Sequence, residues 1–282
     1  MLPAFVIGLR EGLEASLIVG IIAAFLRVNG RSELLRWVLA GVMLASGLCL
    51  AAGIGLHLLE RSLPYRQQEA LETIVALVAV AVITYMVVWM RNHAPSMRRE
   101  LEMSAGAALA QGSAIGLVGM AFFAVLREGL ETAVFLVAAF QSSTDPQATG
   151  SGAVLGIVIA VIVGIGIYSG GIHLNLSKFF KITGFVLVLV AAGLVSSAMH
   201  TAHEAGWVNF LQDQVLDLEW LVRPGTVVSA LVTGMFGIQP RPTQIELLGW
   251  LLYLVPIGIY VMWPQPAPRR PTPAGAPVST AQ

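Results

Sequence analysis

Seven stretches of about twenty mostly apolar residues fill most of the 282-residue chain, and runs of that length suit helices that cross a bilayer. They fall roughly at 3–27, 34–59, 69–90, 112–140, 151–173, 179–202 and 246–263. Hydrophobic residues make up 56% of the sequence and charged ones 11%, against about 25% charge in a soluble domain. The sequence therefore predicts an all-α, polytopic membrane protein. Basic and acidic residues balance at 16 each, which removes any bulk electrostatic case for a nucleic-acid partner. The single cysteine, Cys49, excludes an intrachain disulfide and a cysteine-built metal centre. Its small and apolar neighbours make it a packed hydrophobe. The first run has no basic residue before it and is broken by Arg10, Glu11 and Glu14. It reads as a first transmembrane helix, not as a cleaved signal peptide.

Loop charges set the expected orientation, because Lys and Arg favour the cytoplasmic side. Arg27, Arg31, Arg36, Arg91, Arg98, Arg99, Lys178, Lys181, Arg269 and Arg270 flank the odd-numbered loops and the tail, ten in all. The even-numbered loops hold four, Arg61, Arg66, Arg223 and Arg241. The N-terminus is expected outside and the C-terminus in the cytoplasm, as seven spans require.

One six-residue pattern occurs twice inside these spans. Arg10-Glu11-Gly12-Leu13-Glu14-Ala15 lies in the first, and Arg127-Glu128-Gly129-Leu130-Glu131-Thr132 lies 117 residues later in the fourth. Each charged side chain at a helix centre costs about 2.5–3.5 kcal/mol on insertion scales, so such residues usually mark an ion or substrate path. Spans one and four point in opposite directions. Residues 3–90 and 112–202 are therefore expected to form two inverted three-helix repeats, with 246–263 as a seventh helix. Inverted repeats commonly place a binding site at their midplane interface. At 1.5 Å per residue, Glu11–Glu14 lie roughly 12–17 Å into span one and Glu128–Glu131 about 24–29 Å into span four. Gly12 and Gly129 are small enough to let the two helices cross closely.

Glu11 and Glu14 share a helix face, as do Glu128 and Glu131, and Arg10 and Arg127 each stand four residues before a glutamate. Four carboxylates against two guanidiniums leave a formal excess of two negative charges. A ring of carboxylate oxygens suits a hard cation that cancels it. Two buried intrahelical ion pairs that merely fix packing are the competing reading, and duplication on antiparallel helices weighs against it.

Polar groups also gather at the expected outer helix ends. Glu69 and Glu72 open span three, His200, His203 and Glu204 close span six, and His57 and Glu60 end span two. They are candidates for an outer capture position, with ordinary interfacial polarity as the alternative. His93 and His173, at the other ends, read as interfacial. The long outer loop 203–245 contains an apolar dozen, Val227–Ile238, too short to span and read as re-entrant or interfacial. Residues 264–282, rich in proline, are expected to be a disordered cytoplasmic tail.

The doubled Arg-Glu-Gly-Leu-Glu resembles the signature of the oxidase-dependent high-affinity iron permeases. The His203-Glu204-Ala205-Gly206-Trp207 stretch and Gly234-Met235-Phe236-Gly237 add to the likeness. The resemblance covers most of the chain and is strongest with bacterial members. It implies iron import across the cytoplasmic (inner) membrane, with the motif glutamates carrying the ion. It further implies an extracytoplasmic oxidase or peroxidase and an iron-binding helper protein as partners, and no permanently bound cofactor. The acidic outer-loop motif described for fungal members has no clear copy here; Asp213, Asp217 and Glu219 are too loosely spaced. Two other readings stand beside it. One is a carrier of another cation. The other is an intramembrane Glu/Arg enzyme such as a lipid phosphatase, against which no nucleophile recurs beside both motifs: Ser16 and Thr132 do not correspond.

Overall fold

The computed structural model describes residues 1–93, 103, 114–143, 145–169, 176–218, 232–233, 236–237 and 239–263. Its long elements are seven α-helices: α1 (Leu2–Val28), α2 (Leu35–Arg61), α3 (Tyr65–His93), α4 (Ala114–Gln141), α5 (Pro146–Tyr168), α6 (Leu176–Glu204) and α7 (Gln244–Met262). Five of them are long and apolar enough to cross a membrane by length and composition. The other two, α1 and α4, have 27 and 28 residues and each carries three charged motif residues at its middle.

Most helix bounds fall within four residues of the apolar windows. The exception is α5, which begins and ends five residues before its window. Asp145 caps it, its carboxylate accepting from the Ala148 N–H at 3.0 Å, and Pro146 takes the first turn, where no N–H is needed. Such caps are polar, so a hydropathy window starts after them. The same logic extends α3 back to Tyr65 through the polar turn Arg66-Gln67-Gln68.

The helices pack in a defined pattern. α1 lies along α5, α2 along α4, α3 along α6, α1 crosses α4, and α7 covers α6. Small residues set the first two contacts. A Cβ on Gly12 would stand 2.8 Å from Ala160 Cβ on α5, and one on Gly129 would stand 2.6 Å from the Cys49 sulfur on α2. Cys49 itself is buried, with its thiol directed at the Leu126 carbonyl 3.5 Å away. Gly129→Ala is accordingly expected to lower thermal stability in detergent by about 1–3 kcal/mol through overpacking. Adding Cys49→Ala, which removes the sulfur in the way, should restore most of it.

The core is built mainly on α3, α4 and α6, with Ile83, Phe135, Leu187 and Val188 fully buried and Ile7 of α1 joining them. Large apolar side chains also point outward, such as Met43, Leu50 and Ile54 on α2 and Val154, Ile162 and Ile165 on α5. An apolar rim around a polar-centred bundle is the arrangement of a polytopic membrane protein. In the long connection before α7, Trp250 Nε1 donates to the Phe236 carbonyl at 2.8 Å. Gly237, at φ +62°, lies against Gly193, where a Cβ on Gly193 would come within 2.9 Å of Gly237 Cα. Gly193 is about 16 Å along α6 from Glu204, so the described part of this connection reaches deep among the helices. The rest of Val227–Ile238, His173, Glu219 and the 264–282 tail lie outside the described residues.

Candidate metal-transport site

The crossing of α1 and α4 brings the two motif copies face to face. Because i and i+3 positions share a helix face, Glu11, Glu128 and Glu131 converge, with one oxygen from each lying within 4.8 Å of the others. Each of the three also has a buried Oε2 with no hydrogen-bond partner. Burying a carboxylate oxygen with nothing to hold it is costly. Hard divalent cations with metal–oxygen bonds of about 2.0–2.6 Å place opposite ligands roughly 4–5 Å apart. The three carboxylates therefore suit one such cation as a shared ligand set.

Glu14 stands apart from this trio. Its Oε1 lies 2.9 Å from Arg10 Nη2, an ion pair lacking hydrogen-bond alignment. Arg10 Nη1 also donates to Glu11 Oε1 at 2.6 Å and contacts the Met86 sulfur. The side chain of Arg10 is only 1% exposed. Arg127 pairs through Nε with Glu131 Oε1 at 3.0 Å, and half of its side chain, 50%, is exposed. The asymmetry continues along the motif: Leu13 is 1% exposed and its counterpart Leu130 is 42% exposed.

A second polar group forms where α2 ends and α3 begins. Glu60, Glu69 and Glu246 are buried there. Gln141 Nε2 donates to Glu60 Oε2 at 3.0 Å, and His57 Nδ1 lies 3.9 Å from the same oxygen. Glu72, which accepts from Gln68 Nε2 at 3.2 Å, faces Glu60 and Glu69. Glu69 in turn faces Glu204 and Tyr65, and the Tyr65 hydroxyl donates to Glu204 Oε2 at 2.5 Å. His200 bridges Glu246 Oε1 at 2.9 Å and Glu204 Oε1 at 3.6 Å. His203 departs from the group, its Nδ1 sitting 2.8 Å from the Val208 carbonyl oxygen.

The two polar groups are separated. From Glu131 to Gln141 is about 15 Å along α4. Phe135, between them along α4, is fully buried in one hydrophobic cluster with Ile7, Ala79 and Ile83. Sequence reading did not single out Glu246, Tyr65, Gln141, Met86 or the aromatic rings near the arginines. Only Glu246 carried a usable signal, because Thr243-x-x-Glu246 is the spacing of a helix-capping box, and its Oε2 accepts from the Thr243 N–H at 3.2 Å.

A helical, multi-pass membrane protein with converging carboxylates inside its bundle, each keeping one oxygen without a hydrogen-bond partner, has the build of a cation transporter. Comparison with known sequences narrows that class: residues 1–264 match the iron permease FTR1 family, and the chain belongs to it. It is 44% identical over 266 residues to a protein of Yersinia pestis named ferrous iron permease EfeU, with 94% of both chains covered. A protein of the same name from Escherichia coli O6:K15:H31 is 41% identical over 266 residues, covering 94% of this chain and 96% of that one. The counterpart in Escherichia coli O157:H7 is 42% identical over 258 residues, covering 91% and 93%. All three are named as permeases, not enzymes. No solved structure matches the chain.

Proposed function

We propose that this protein imports ferrous iron across the cytoplasmic membrane, binding it midway among Glu11, Glu14, Glu128 and Glu131. The observation that carries the reading is the trio of buried, partnerless carboxylate oxygens contributed by two copies of one motif. A divalent ion cancels the formal excess of two negative charges left by four glutamates and two arginines. Arg10 and Arg127 orient the carboxylates and keep the empty site tolerable. The ferrous state is taken from the names of the relatives, and the resemblance carried by the doubled motif implies an extracytoplasmic oxidase or peroxidase and an iron-binding helper protein as partners.

Helix pairing supports the inverted-repeat architecture. Exchanging α1–α3 with α4–α6 turns the α1–α5 contact into α4–α2 and leaves α3–α6 and α1–α4 unchanged, and all four contacts are present. With the N-terminus outside, the group of Glu60, Glu69, Glu72, His200, Glu204 and Glu246 faces the supply side and gathers cations before they descend. His203 takes at most a peripheral part in it. The apolar layer of Ile7, Ala79, Ile83 and Phe135 then closes the site from outside in this conformation, and the ion moves as the repeats rock.

Proteoliposomes loaded with the purified protein should accumulate radioactive ferrous iron. Manganese and zinc in tenfold excess should compete only weakly. Uptake of manganese or zinc without iron uptake would establish the other-cation carrier instead.

A further inference from the structure

Each motif guanidinium lies over an aromatic ring from the central α3–α6 pair. Arg10 Cζ is 5.9 Å from the centre of the Phe180 ring on α6, and Arg127 Cζ is 5.6 Å from the centre of the Trp89 ring on α3. These helices exchange places when the two halves are swapped, but Trp89 lies near the end of α3 and Phe180 near the start of α6, so the two rings do not occupy matching positions. A cation within about 6 Å of a ring centroid is attracted by the negative face of the ring, most strongly for tryptophan.

The two arginines depend on their rings to different degrees. Arg10 is enclosed, with Glu11, Glu14 and Met86 all in contact. Arg127 is half exposed, and its close described partners are Glu131 and Trp89. An arginine side chain with rotatable bonds and one carboxylate to hold it can swing. The other carboxylate on α4 that its charge feels is Glu128, a member of the cation-binding trio.

We propose that Trp89 is a positioning residue for transport: its ring pins Arg127 onto Glu131 and so keeps the guanidinium from competing with the cation for Glu128. Phe180 plays the weaker counterpart role under Arg10. The inference rests on the carboxylate site proposed above. It assigns Trp89 an effect on apparent affinity, since a competing internal cation raises the iron concentration needed to fill the site. The maximal rate, set by movement of the loaded protein, should change little.

The test is the initial rate of ferrous iron uptake into proteoliposomes at varied iron concentration, for wild type, Trp89→Leu, Trp89→Met, Trp89→Phe, Phe180→Leu and Glu131→Gln. Trp89→Leu and Trp89→Met should raise KM roughly three- to tenfold with Vmax near wild type, and Trp89→Phe should stay within about twofold. Phe180→Leu should shift KM less than Trp89→Leu. Should the leucine variant fail to fold, the methionine variant, whose longer unbranched chain adapts to irregular space, gives the comparison. An unchanged KM in the leucine and methionine variants, or an equal loss in the phenylalanine variant, overturns the positioning role. If Glu131→Gln transports like wild type, the carboxylate site itself is wrong. If Glu131→Gln is inactive while Trp89→Leu keeps the wild-type KM, only the role of Trp89 falls.

Discussion

Glutamine in place of Glu11, Glu128 or Glu131 is expected to lower ferrous iron uptake by roughly two orders of magnitude, because each change deletes a charged ligand from a low-dielectric site. The substitution keeps the shape of the side chain, so packing is preserved and a loss of transport reports on charge. Glu14→Gln should fall less, on the order of tenfold, since Glu14 rests on Arg10 and outside the trio. Uptake of radioactive iron by proteoliposomes, normalised to protein recovered in the bilayer, separates the two groups. Equal losses at all four positions would mean that Glu14 leaves Arg10 and joins the ion at another stage of the cycle. Wild-type uptake by Glu11→Gln would remove the site from the transport path altogether.

The number and order of the helices were legible because burying or lipid-facing twenty apolar residues has few solutions. Their ends were less legible wherever a polar cap such as Asp145 began the helix. The pair of motifs marked the site for a simple reason: charge at mid-helix is expensive and repetition is rare. What the spacing could not convey was the split among the four glutamates. Glu11 and Glu14 stand on one helix face by periodicity and Arg10 pairs with both, yet only Glu11 joins the trio. That outcome depends on which neighbours surround Arg10, namely Met86 and Phe180 from helices more than seventy residues away. The same holds for the second polar group. Glu69, Glu72, His200 and Glu204 were visible at helix ends, but their union with Glu60, Gln141 and Glu246 arises from the packing of α2, α4 and α7 around α3 and α6.

The unequal burial of the two arginines predicts unequal consequences for stability. Arg10→Met removes a guanidinium that is 1% exposed and leaves Glu11 and Glu14 buried without their counter-charge. Breaking a buried pair from one side costs about 3–5 kcal/mol, a large share of the roughly 5–15 kcal/mol that holds a typical fold together. Arg127→Met removes a partner whose side chain is half exposed and strands one carboxylate, where Arg10→Met strands two, so it should cost less. Unfolding in detergent, followed by heat or denaturant, should therefore show Arg10→Met far less stable than Arg127→Met, with much lower recovery from membranes. A second substitution sharpens the argument. Adding Glu14→Gln to Arg10→Met deletes one of the two stranded charges, so the double variant should regain a substantial part of the lost stability. If the burden were simply a hole where the arginine had packed, Glu14→Gln would add nothing, and methionine, of similar length, would already have filled most of it. Wild-type stability of Arg10→Met would show that Arg10 is dispensable to the fold and that its pairing with the first motif serves transport alone.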